Sequence, residues 1–478
     1  MRVAPLSPER LREVLDEDDW LAFQEAIAHA VRVFEGRVIW MISSTAAGGG
    51  VAEMLRYFLA YSRGAGVNVR WLVISGNREF FEITKRIHNF LHASPGDGGE
   101  LGPEDTRIYE EVTAANAEQM AAVVRDTDIV LLHDPQTAGM VPRLKQTGAH
   151  IVWRSHIGAE RPNELVHKAW EFLDDYLQEA DACVFSRHSY VPDWANALRT
   201  EVIQPSIDVF SPKNQDMDPE TVRGILTYVG LTVDGVEAPP VYTRYDGTPG
   251  RVDRRCEVLS TGPPPHFGDP LVVQISRWDR LKDHMGVMHG FAEHVAPATD
   301  AHLILAGPNV NAVADDPEGA EVLNEVWAAW RELPHARRSR VHLSCLPMAD
   351  IEENAAIVNA LQRRATVVVQ KSLEEGFGLT VAEAMWKSRP VIASAVGGIQ
   401  DQIEDGVTGL LLDDPNDLDT FGKLILKLLS DPERAQEIGA RAREYVRQHF
   451  LANRHAAQYI ELFASIIEAR EQQAAQAG

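Results

Sequence analysis

Residues 367–409 read VVVQKSLEEGFGLTVAEAMWKSRPVIASAVGGIQDQIEDGVTG, and this stretch decides the fold. Val367 to Val369 is an apolar β-branched run, the pattern of a buried strand. A turn carrying Gly376 and Gly378 follows. Leu379 to Lys387 has helical character and stops before Pro390. Val391-Ile392-Ala393 is a second short strand, leading into Gly397-Gly398 and another helix start. The backbone N–H groups of Phe377, Gly378, Leu379 and Thr380 crown the first helix. Donors at such an end lack intrahelical partners and the helix dipole is positive there, so a phosphate can rest on them. Glu383, inside the helix, can accept two hydrogen bonds from a sugar diol. Glu375, at the strand exit, lies near whatever carries the phosphate.

Outward from this stretch, composition narrows the classes. The 478 residues suit two or three domains, and 45% apolar with 24% charged residues is ordinary for a globular protein. A net charge of −24 repels nucleic acid and anionic membranes. An anionic substrate therefore needs a local basic pocket. Cys183, Cys256 and Cys345 are far apart and form no CxxC pair, which argues against a disulfide framework or zinc site and fits a reducing cytoplasm. The N-terminus lacks a signal-peptide core, and no apolar run reaches membrane-spanning length. No metal ligand set is evident, so magnesium is at most accessory and no tightly bound cofactor is expected.

In chain order, residues 1–36 form an acidic helical lead-in, with Leu11, Val14, Leu15, Phe23, Ile27 and Val31 at helical spacing. A domain over 37–215 opens with the strand Arg37–Ser43, the glycine turn containing Gly49 and Gly50, and a helix from Val51. Strands follow at Val69–Ile74, Ile129–His133, Ile151–Trp153, Asp181–Ser186 and Glu201–Gln204. Strands alternating with helices predict a parallel, doubly wound sheet, whose strand ends bind ligands. His133, Asp134, Gln136, Arg154 and His156 stand at two such ends. A second domain over 216–445 has strands at Leu271–Ile275, His302–Leu305 and Val341–Leu343 before the opening stretch. Its Gly/Pro-rich stretch 232–270 reads as a surface insertion or linker. Arg277 and Lys282 are its best phosphate-binding candidates, because a departing diphosphate needs positive charge held ready. Residues 446–478 form the terminal helical segment.

The block from Glu375 to Met385, EGFGLTVAEAM, resembles the Glu-x7-Glu signature of retaining GT-B glycosyltransferases. The blocks SSTAAGGGVAEML, HDPQ, WRSHIG, QISRWDRLKD and AGPN extend the resemblance to trehalose glycosyltransferring synthases over roughly Gly36 to Phe450. The resemblance implies an α/β fold of two facing Rossmann-like domains with a cleft between them. Its last helix is expected to return to the first domain. It implies glucose transfer from a nucleoside-diphosphate-glucose to glucose, making α,α-trehalose reversibly. In that reading Glu375, His156, Arg277 and Lys282 are catalytic. Gly49, Gly50, Asn309, Leu346, Phe377, Gly378, Leu379, Thr380 and Glu383 hold the nucleotide-sugar. Asp134, Gln136 and Arg154 position the acceptor. Gly158 stands where the family pattern carries an acid. The partners expected are small sugars and a second copy in a homodimer. Left open are another acceptor (a phosphosugar, fructose or glycerate), an epimerase, and a non-catalytic binder.

Overall fold

The computed structural model describes residues 3–46, 50–233, 238–310 and 317–477. The chain divides into two compact units. The first comprises Met1–Ser206 with Phe450–Gly478, and the second Ile207–His449. The lead-in is thus part of the first unit, and the breaks fall at 206 and 449 rather than 215 and 445.

The first unit holds six parallel strands: β1 Ile39–Ser43, β2 Val69–Val73, β3 Ile129–His133, β4 His150–Arg154, β5 Ala182–Phe185 and β6 Thr200–Val202. Their order is β2-β1-β3-β4-β5-β6. β1, β3, β4 and β5 are buried at every residue, as expected of a parallel sheet covered on both faces. Asn77 and Asn163 cap the helices Arg78–Leu91 and Glu164–Leu177 through their side-chain oxygens, satisfying donors that a helix start leaves unpaired. The helix Glu17–Val33 buries Trp20, Phe23 and Ala30, while Val31 is exposed. The terminal helix Ala452–Ala477 packs by its aromatic residues, with Tyr459 against Phe58 and Phe463 against Phe34.

The second unit opens with the helix Pro219–Val229, followed by a hairpin, β7 Val241–Thr243 and β8 Pro249–Arg251, and the strand β9 Glu257–Leu259. Then come β10 Leu271–Ile275, β11 His302–Pro308, β12 Val341–Leu346, β13 Val367–Gln370, β14 Val391–Ser394 and β15 Leu410–Leu412. The sheet order is β15-β14-β13-β10-β11-β12-β9. All neighbours are parallel except β9, which pairs antiparallel with β12. The Gly/Pro-rich stretch is therefore not only a surface insertion, since β9 is the sheet's edge strand. Three-residue strands between glycines and prolines carry too little periodicity to be read from sequence. Among the described residues no helix is long and apolar enough to cross a membrane.

Candidate active site

In the second unit the signature lies where the sequence reading puts it, between β13 and the helix Leu379–Trp386. Gly378 caps that helix at φ +81°. A side chain there would be strained, and its Cβ would sit 3.1 Å from Glu375 Cγ. Glycine thus lets the chain turn tightly while Glu375 folds back over the turn. Gln402 receives the Ala382 N–H at 2.9 Å, and the Val381 N–H turns back to the Gly378 carbonyl at 2.9 Å. The amides of Gly378, Leu379 and Thr380 have no partner among the described residues. Phe377 is packed inward, 6% exposed.

Glu375 is joined by a residue 93 positions earlier. Lys282 Nζ donates to Glu375 Oε2 at 2.7 Å, and Ser372 Oγ donates to the same oxygen at 3.2 Å. The Lys282 and Glu375 side chains are 15% and 12% exposed. Lys282 belongs to a 3-10 turn, Arg280–Lys282, capped by Asp279 and tied by its carbonyl to Gln274 Nε2 at 2.8 Å. Behind it Asp283 bonds Lys371. Arg277 is half-exposed and pairs with Asp279 at 3.4 Å.

Glu383 is only 2% exposed. Its Oε1 meets Lys213 Nζ at 2.8 Å, and its Oε2 has no partner among the described residues. The Asn309 N–H donates to the Leu346 carbonyl at 2.9 Å. Asn309 Nδ2 donates to Glu257 of β9 at 3.0 Å. This backbone bond uses the Leu346 carbonyl within the sheet edge.

In the first unit β3 and β4 bring their carboxyl ends together. The Asp134 N–H donates to the Arg154 carbonyl at 2.8 Å, and Asp134 Oδ1 takes the His156 N–H at 2.8 Å. Asp134 sits at φ +64°, a strained geometry for a non-glycine residue. Burial pushes its carboxyl up to about 7, although the His156 amide and Arg154 favour its charged form.

Arg154 is fully buried. It donates to Tyr459 Oη at 2.6 Å, the Ile203 carbonyl at 2.9 Å and His156 Nδ1 at 3.2 Å. Arg154, expected to position the acceptor, holds its guanidinium buried against these three partners inside the unit. A guanidinium only donates, so His156 Nδ1 accepts and its proton sits on Nε2. That proton points to His133 Nδ1, 3.0 Å away. Both ring nitrogens of His156 are engaged. Burial and Arg154 hold His156 well below the usual histidine value and lower His133 to about 3. Gln136 keeps a buried Oε1 without a partner among the described residues. Gly158 is explained by Tyr190, whose Cγ lies 2.4 Å from where a Cβ would be.

Gly50 is exposed and opens the helix Gly50–Gly64, and Gly49 lies outside the described residues. Lys213, Ser372 and His133's bond to His156 were missed in the sequence. Their partners are distant or side chain to side chain, and no local pattern marks them.

Two doubly wound sheets with this signature in the second define a GT-B glycosyltransferase. Solved structures share the fold. α,α-Trehalose 6-phosphate synthase from Burkholderia multivorans has a TM-score of 0.66 and 14% identity, covering 91% of this chain and 98% of that one. Sucrose-phosphate synthase from Thermosynechococcus elongatus has 0.62 and 19%, covering 91% and 100%. Residues 41–192 match the family profile described as trehalose synthase, N-terminal domain, and residues 351–445 that of glycosyl transferases group 1. The chain belongs to the trehalose synthase family. It is 33% identical over 437 residues to the trehalose synthase of Rubrobacter xylanophilus, covering 90% of this chain and 91% of that protein. With that of Pyrococcus horikoshii it shares 31% over 458 residues, 96% of each. It is a hexosyltransferase of trehalose-related glycosyl transfer.

Proposed function

We propose that the enzyme moves glucose from a nucleoside-diphosphate-glucose to free glucose, with retention, forming α,α-trehalose reversibly. The observation that carries this reading is the Lys282–Glu375 pair at 2.7 Å, next to a helix start whose amides have no partner among the described residues. A cation, an anion and free N–H groups in one place suit a sugar joined to a diphosphate. Lys282, Arg277 and the amides of Gly378 to Thr380 take the diphosphate. Glu375 orients sugar hydroxyls and Glu383 the ribose. The loop at Asn309 and Leu346 meets the base. Asp134 and Gln136 receive the acceptor, beside a neutral His156.

The bond between the anomeric carbon and the phosphate oxygen breaks. A new bond forms to the acceptor's anomeric oxygen on the same face. The acceptor's proton passes to the departing diphosphate. Magnesium is at most an accessory counter-ion. A phosphorylated acceptor fits less well, since the Arg154 guanidinium is committed internally.

The test incubates the enzyme with UDP-, ADP- or GDP-glucose and ¹³C-glucose, fructose, glycerate or glucose 6-phosphate. α,α-Trehalose from ¹³C-glucose is the expected product. Transfer only to another acceptor, or a changed sugar nucleotide without acceptor, overturns the proposal.

A further inference from the structure

Lys213 lies in the first stretch of the second unit, far in sequence from the signature, yet its Nζ is 2.8 Å from Glu383 Oε1. The backbone around it is pinned on both sides. Asn359 Nδ2 donates to the Pro212 carbonyl at 3.1 Å and the Gln215 carbonyl at 2.9 Å. The neighbouring Asn214 Oδ1 accepts from Lys387 Nζ at 2.9 Å, and the same ammonium reaches the Glu383 carbonyl at 3.0 Å. The stretch is thus fastened to the helix that carries Glu383. Lys213 keeps 22% of its side chain exposed, against 2% for Glu383.

A carboxylate only accepts hydrogen bonds, whereas a hydroxyl both donates and accepts. Glu383 alone satisfies half of what a ribose hydroxyl needs. The adjacent ammonium supplies the other half, and Oε2 is buried with no partner among the described residues.

We propose that Lys213 is a second ribose-binding residue, its ammonium donating to a hydroxyl that itself donates to Glu383. The inference rests on the donor reading above. It assigns to the pair, rather than to the acid alone, the preference for a ribonucleotide over a deoxyribonucleotide donor.

The experiment is a titration calorimetry cycle. ADP-, UDP- and GDP-glucose, and the 2′-deoxy and 3′-deoxy forms of whichever binds, are titrated into wild type and Lys213→Met. In wild type, loss of the recognised hydroxyl is expected to weaken binding about 10- to 100-fold, the range for hydrogen bonds to charged groups. Lys213→Met is expected to weaken the parent compound about tenfold and to shrink the deoxy penalty by about the same factor, the remainder being the hydroxyl's bond to Glu383. Equal deoxy penalties in both proteins overturn the role of Lys213 alone. Failure of wild type to bind any of the three sugar nucleotides overturns the donor reading and this inference with it. Should the Met variant not fold, Lys213→Gln removes the charge while leaving Glu383 a capping amide. A smaller shrinkage, about threefold, is then expected because the glutamine amide still donates, and an unchanged penalty again refutes the role.

Discussion

Lys282 and Glu375 in the second unit keep part of their surface in water, while Arg154 and His133 in the first are 0% and 2% exposed. The second cluster is a charged pair that a ligand can divide between its own charges. The first is a sealed lattice of one guanidinium and neutral imidazoles. Charge at a surface can change partners, whereas charge sealed from water is committed to holding shape, because an unmade bond there has no solvent to replace it.

The largest effect should come from the Lys282–Glu375 pair. Lys282→Ala is expected to lower kcat by about 10²- to 10³-fold, the typical loss for one transition-state donor, with the melting temperature little changed. Glu375→Ala should likewise lose most turnover. Steady-state kinetics checks both, and a loss under about tenfold would break the contrast. Arg154→Leu should do the opposite. It leaves Tyr459 Oη, the Ile203 carbonyl and His156 Nδ1 without a donor, which costs roughly 3 kcal/mol of stability. Urea unfolding reads this directly.

Gly158→Asp is next. The added side chain meets Tyr190, so about 2 kcal/mol should be lost through overpacking. Recovery in Gly158→Asp/Tyr190→Ala would sharpen the point, since the tyrosine occupies the space an acid needs.

The smallest effect concerns pH. His133 is lowered to about 3 by burial, below its unfolded value of about 6.5. The unfolded chain therefore takes the proton first. This stabilisation is complete above pH ~6.5 and is lost as pH falls toward ~3. Asp134 works in reverse. Its folded value of about 7 exceeds the unfolded ~3.9, so its contribution is present at low pH and is lost as pH rises through 7. Thermal melts from pH 4 to 8 should show acid destabilisation, steeper in Asp134→Asn than in wild type.

Both sheets were legible because buried parallel strands are continuous apolar runs, as in Ile129–His133 and Val367–Val369. The donor signature was legible because its glycine turn, helix start and acids are contiguous. Lys282 was found through its block resemblance, though its bond to Glu375 spans 93 positions. The burial of Arg154 was not legible because a polar residue at a strand end looks the same whether it faces a ligand or an internal tyrosine. Lys213 left no trace at all, since it sits outside every recognisable block. β9 was hidden by its three-residue length.

That short strand has a bearing on how the protein survives at high concentration. Without β9, the outer rim of β12 would offer six residues of open backbone to any passing chain. An unshielded rim of that kind recruits strands from other molecules and seeds aggregates. By lying antiparallel across half of it, β9 works as a bumper. Trimming this stretch so that β9 is lost would be expected to cost solubility before it costs turnover.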